Sequence, residues 1–212
     1  MKTEDLIQAL KSDAGNRRAS PDLVFALALV ASVVVAGGIL LATMGVRPDF
    51  AAALSTLRFP FKFAVTIALA TTAATVFWRG LSPVSSTRPG TGLLLLAPAL
   101  LLFGVALELL ALPSAAWAMA AQGKNSLLCL TVVPALGAVP LGLMLCSLRY
   151  GATTRPTLAG FCAGILAGGI AATFYAANCT DDSPLFVATW YPIAILLLGV
   201  LGAGLGRVFA RW

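Results

Sequence analysis

The sequence predicts an all-α polytopic membrane protein, a bundle of six transmembrane helices with a short polar N-terminal segment. Three observations carry that prediction. Of the 212 residues, 59% are hydrophobic and only 10% are charged. The mean hydropathy is +0.95. Six apolar stretches reach about 20 residues, the length a helix needs to cross the hydrocarbon of a bilayer. A soluble domain carries about a quarter charged residues, so water cannot be the solvent for most of this surface, and a globular cytosolic protein is excluded.

Residues 1–22 (MKTEDLIQALKSDAGNRRASPD) form the one substantial segment expected outside the membrane. Leu6, Ile7 and Leu10 recur there at helical spacing among Glu4, Asp5 and Lys11. Thr3 is placed to cap such a helix, Gly15 to stop it, and Pro21 to break the chain again. The polar start, and a first apolar stretch too long for a signal peptide and without a small-residue cleavage site, argue against a cleaved leader. The remaining chain, 23–212, divides into spans at about 23–45, 60–79, 92–112, 126–148, 156–177 and 185–207. Span two opens at Pro60, a residue suited to a helix start, and Pro113 ends span three. The stretch from Gly80 to Thr91, with Pro83, Ser85, Ser86 and Arg88, reads as a loop.

An even number of crossings puts both termini on one side, and charge decides which. With the termini and the second and fourth loops together, that side holds Lys2, Lys11, Arg17, Arg18, Arg79, Arg88, Arg149, Arg155, Arg207 and Arg211, against Arg47, Arg58, Lys62 and Lys124 opposite. Excess Lys and Arg marks the cytoplasmic face, so both termini are expected in the cytoplasm and, in a bacterial inner membrane, the opposite loops in the periplasm. The net charge of +6 is thereby explained by orientation, without a nucleic-acid partner.

Span five carries Gly160, Gly164 and Gly168 with Ala163 and Ala167; span six carries Gly199, Gly202 and Gly206 with Ala203. Small residues at four-residue spacing let backbones approach in lipid, and the expected role is packing. Pro98, Pro134 and Pro140 fall inside spans and are expected to bend or loosen them. Broken helices can mark transport sites, which keeps a small-molecule or ion transporter as the alternative function and a purely structural subunit as a third. Glu108 is the one ionisable residue that falls obviously within a span. It is a candidate functional acid, although its place near the end of span three would also allow it to be hydrated.

Histidine is absent, which removes the commonest general base and metal ligand. No phosphate-binding glycine loop or metalloprotease motif is present either, so the expectation is no enzyme and no cofactor. Asp181 and Asp182 are paired carboxylates in a short loop and read as a solvated turn. Of four cysteines, Cys146 and Cys162 lie toward the side of the termini. Cys129 lies about one turn inside the opposite end of span four, and Cys179 in the loop before span six. The last two would face an oxidising compartment, where a disulfide, a soft-metal thiolate site or two unreactive residues are all open.

Several runs are familiar. Met1-Lys2-Thr3-Glu4-Asp5-Leu6-Ile7, the stretch Leu148-Arg149-Tyr150-Gly151 through Gly160, Tyr175 to Cys179, and Asp181-Asp182-Ser183-Pro184-Leu185-Phe186 followed by Trp190-Tyr191 resemble the NrsF family of bacterial membrane anti-sigma factors, the negative regulators of sigma-F. The Cys–x–Asp–Asp–Ser–Pro–x–Phe–x–x–x–Trp–Tyr stretch is the most specific, and the resemblance covers essentially the whole chain. It implies a membrane regulator that holds an extracytoplasmic-function sigma factor through its cytoplasmic N-terminal segment, here Glu4, Asp5, Leu6, Ile7 and Leu10. It also implies release on a periplasmic stress signal, a heavy-metal ion or an oxidant, sensed through Cys129 and Cys179. Soluble zinc-binding anti-sigma domains use a His and Cys cluster, and without histidine that module is excluded.

Overall fold

The computed structural model describes Thr3, Glu4, Gln8 and residues 20–82 and 92–210, and the described residues are helical with short connections. Among residues 20–82 and 92–210, eight α-helices run in chain order: α1 Pro21–Thr43, α2 Phe50–Ala53, α3 Arg58–Gly80, α4 Leu96–Ala111, α5 Ser114–Gln122, α6 Ser126–Ser147, α7 Pro156–Asn178 and α8 Pro184–Phe209. Single 3₁₀ turns precede α4 and follow α6. Six helical stretches, containing α1, α3, α4, α6, α7 and α8, are long and apolar enough to cross a membrane, and they match the six spans read from the sequence.

Helix starts follow local chemistry. At α1, Pro21 is not the breaker expected from the sequence but the first helical residue, where its missing N–H costs nothing. Ser20 caps it, its hydroxyl accepting from the Leu23 N–H at 3.3 Å. Pro156 and Pro184 open α7 and α8 in the same way. Prolines 134 and 140, expected to bend or loosen span four, both lie inside α6, which runs through them as one helix. A short helix, α5, was not foreseen in the connection after Pro113. It ends at Gly123, where φ is +58° and a Cβ would run into the Phe186 ring, so only glycine fits there.

The core is built around α7, which packs against α1, α3, α6 and α8, while α4 leans on α3 and α8 and α5 on α8. The tightest seam is α7 on α8. A Cβ on Gly160 or Gly202 would strike the backbone of the other, and one on Gly164 would strike the Leu198 carbonyl and Gly199. The glycine stripes thus let two backbones touch, as their spacing predicts. Outward, α1 exposes Leu23, Leu27, Val30, Val34 and Leu41, an apolar stripe that lipid rather than water must cover. The even number of crossings leaves two ends. One gathers the start of α1, the turn at 148–155 and the end of α8. The other gathers the connections 44–57, 112–125 and 179–183. They are called here the terminal end and the Cys179 end.

Candidate functional site

The polar residues of the Cys179 end converge on the five-residue connection Cys179–Ser183 between α7 and α8. Asp182 is its centre. Its carboxylate accepts from Arg47 Nη1 at 2.8 and 3.0 Å and from Lys62 Nζ at 2.5 Å. Lys62, one turn into α3, is completely buried. Its ammonium also donates to the Cys179 carbonyl at 2.7 Å and lies 4.9 Å from the centre of the Phe59 ring. Arg47 turns the rest of its guanidinium toward Asp49 in a two-pronged pair, Nε to Oδ1 at 2.7 Å and Nη2 to Oδ2 at 2.6 Å. That hydrogen-bonded pairing holds the Asp49 carboxyl below its usual range.

The neighbouring acids fasten helix starts. Asp181 Oδ2 accepts from the backbone N–H groups of Lys124 and Asn125 and from the Asn125 side chain, at 2.8 to 2.9 Å, filling the donor-rich mouth of α6. Glu108 on α4 accepts from Ser183 Oγ at 2.7 Å and the Leu185 N–H at 2.9 Å, capping α8 from outside. Its second oxygen faces Arg58 at 3.3 Å. On the far side, Asn178 Nδ2 donates to the Gly45 carbonyl at 3.1 Å and the Arg47 N–H to the Ala177 carbonyl at 3.2 Å. Through these contacts α3, α4 and α8, the loop after α1 and the residues that open α6 are all tied to the five residues that follow α7.

Beneath this hub lie the thiols. Cys129, in the first turn of α6, and Cys179 are both buried, and they sit within electrostatic reach of each other. All four cysteines are free. Burial pushes the Cys179 thiol above its ordinary pKa, with the Lys62 charge pulling the other way. Tyr175 lies beside the Cys179 thiol and packs against Tyr191 with ring centres 6.1 Å apart. The Tyr191 hydroxyl, also buried, has no hydrogen-bond partner among the described residues. No group of three or more Cys, Asp or Glu side chains arranged to hold a metal occurs among the described residues.

Of the residues singled out from the sequence, Cys129, Cys179, Asp181, Asp182 and Glu108 are thus gathered at one end. Two placements differ from expectation. Asp181 and Asp182 are not a solvated turn, because each is taken up by donors from other helices. Glu108 is buried and hydrogen-bonded rather than hydrated. Nor is Glu108 the sole embedded ionisable group: Lys62 is more deeply enclosed. Reading Lys62 as an intramembrane cation needing a partner would have found it, whereas Arg47 and Asn125 carry no sequence signal of their roles. At the other end, Glu4 is helical and exposed, while Asp5, Leu6, Ile7 and Leu10 lie outside the described residues.

Fold and site together define a helical protein of six membrane-length spans whose polar residues are spent on fastening loops over two thiols. A family model described as "Negative regulator of sigma F" matches residues 10–212, and the chain belongs to that family, one of regulators and not of enzymes. It is 34% identical, over the full length of both chains, to a protein of Caulobacter vibrioides named "Anti-sigma-F factor NrsF". It is 31% identical, again over both full lengths, to one of Azospira oryzae named "Probable anti-sigma-F factor NrsF". No solved structure matches.

Proposed function

We propose that the chain is a membrane-bound anti-sigma factor. It holds an extracytoplasmic-function sigma factor at the bacterial inner membrane through its cytoplasmic N-terminal segment and releases it on a periplasmic signal received at Cys129 and Cys179. The observation that carries this reading is full-length similarity to two relatives named as anti-sigma-F factors, joined to the burial of both thiols under one loop hub. In the resting state Leu6, Ile7 and Leu10 offer an apolar stripe to a groove on the sigma factor, with Glu4 and Asp5 facing its basic surface, a mode suited to a short amphipathic helix. The signal is oxidation of the two thiols or their capture of a soft heavy-metal ion; the latter falls to a two-thiolate set, since no larger ligand cluster is at hand. Because burial raises the Cys179 pKa, the thiol is unreactive while the hub is closed, and the hub sets the threshold for response.

Single replacements Cys129→Ser and Cys179→Ser test the sensor, with sigma-dependent transcription measured under cadmium or chromate. The expected outcome is a lost or displaced induction curve in each; unchanged curves in both variants would sink the sensor. For the anchor, Leu6→Asp with Leu10→Asp is expected to release the sigma factor from the membrane fraction, and continued co-fractionation would count against the N-terminal site. A transporter would need a polar passage. A cavity of about 310 Å³ between α3, α4 and α8 is lined mainly by apolar residues such as Val65, Leu69, Leu101, Val187 and Ile195, with Thr66 and Tyr191 among them, and Glu108 is committed to capping α8, both of which favour the regulator.

A further inference from the structure

The hub and the start of α1 lie at opposite ends of the molecule, and one helix has a specific polar contact to each. At the Cys179 end, Lys62 of α3 holds the Cys179 carbonyl at 2.7 Å and Asp182 at 2.5 Å. At the terminal end, Trp78 of the same helix donates its indole N–H to Asp22 Oδ1 at 2.8 Å, and the Phe77 ring lies 5.7 Å from that of Phe25. Asp22 is in the first turn of α1, directly after the N-terminal segment. Sixteen residues of helix separate Lys62 from Trp78, a rod of about 24 Å.

We propose that α3 is the transmission element of the protein, with Lys62 and the Trp78–Asp22 pair as positioning residues that couple the Cys179 loop to the start of α1. The inference rests on the sensor-and-anchor reading above and supplies the link between its two sites.

The physical reason lies in the burial of Lys62. An ammonium with no exposure to water cannot be left behind when its anion moves, because an unpaired charge in an apolar interior costs several kcal/mol, more than a small tilt of a helix. Displacement of Cys179 and Asp182 therefore draws the start of α3 with them. The far end of α3 is held by the Ala152 N–H on the Leu81 carbonyl at 2.8 Å, so the helix turns about that point and shifts Phe77 and Trp78 against Phe25 and Asp22. The alternative carrier, α7, runs directly into Cys179, but its terminal-end half is spent on the seam with α8, Gly160 and Gly164 against Gly202 and Gly199.

Hydrogen–deuterium exchange on the full chain in lipid nanodiscs tests this without a sigma factor or any thiol reagent, so its failure would leave the anti-sigma reading standing. Lys62→Met is expected to speed exchange both at 179–187 and at the remote 22–30 by about threefold or more, the scale of coupling through connected residues, while Lys62→Arg restores 22–30 toward wild type. With Trp78→Phe or Asp22→Ala already in place, either of which removes the indole–carboxylate hydrogen bond, the Lys62 change is expected to act at 179–187 alone. If Lys62→Met yields no folded protein, Asp182→Asn takes its place. Unchanged exchange at 22–30 in the hub variant, or a remote response that persists undiminished without the Trp78–Asp22 contact, overturns the proposal.

Discussion

The two ends of the molecule handle charge in opposite ways. At the Cys179 end Arg47, Arg58, Lys62 and Lys124 stand with Asp49, Glu108, Asp181 and Asp182, and most of these groups are locked into the hub, Lys62 without exposure. At the terminal end basic residues outnumber acidic ones in the sequence, and among the described residues Arg149 is exposed and stacks on Phe209 at 5.2 Å, while the exposed Arg207 donates to Thr157. Pairing in a low-dielectric interior makes the first end specific and rigid, because each buried group constrains its partner. Hydrated charges at the second end leave it adaptable. The function proposed above, with one end shut until a signal arrives and the other presented to a partner, requires a division of this kind.

The division can be broken in graded steps. The severest is at the seam that holds the ends in register: Gly164→Leu drives a side chain into the Leu198 backbone, which cannot yield, and is expected to cost about 3 kcal/mol or more, read as loss of the monodisperse species and of thermal stability in detergent. Next, Lys62→Met leaves Asp182 and the Cys179 carbonyl each short of one partner, with only Arg47 remaining to donate to them, and an expected loss of about 3 kcal/mol. The Trp78→Phe change at the terminal end, by contrast, is expected to leave the melting temperature nearly unchanged. Asp49→Asn sharpens the comparison through pH. Arg47 depresses the Asp49 pKa, so its contribution is present above the unfolded value of about 3.9 and lost as pH falls through the folded one. The variant is expected to melt below wild type at pH 7, with the gap closing only under pH of about 3.9. Smallest of all, Arg149→Ala on the exposed face is expected to stay within about 0.5 kcal/mol.

Much of this architecture was legible in the residues. Six runs of hydropathy pointed to the six helices that, among the described residues, are long and apolar enough to cross a membrane, because a bilayer imposes length and composition directly on sequence. Gly160, Gly164, Gly199 and Gly202 announced their seam by spacing. The hub was only half legible. Cys179, Asp181 and Asp182 drew attention as a polar cluster, yet they looked like a solvated turn because their partners, Arg47, Lys62 and Asn125, come from three other elements far off in the chain. Lys62 hid at the start of an apolar span, and Arg47 beside a proline in a loop. Pairings of this kind are properties of the assembled bundle, and no local pattern encodes them. The helix α5 was missed for a simpler reason: nine residues between Pro113 and Gly123 are too few to show a hydrophobic period.

The balance of four cations and four anions at the Cys179 end bears on how that end reaches its side of the bilayer. Moving a unit charge through an electric potential of 100 mV takes about 2.3 kcal/mol, so ferrying unmatched arginines across an energised membrane would be opposed at every step. Connections whose charges cancel can be carried over with no net electrical work, while the basic opposite end stays behind. In the orientation proposed above, with the N-terminal segment in the cytoplasm, the residues that clasp one another around Cys179 thus also leave that end without net charge to carry across.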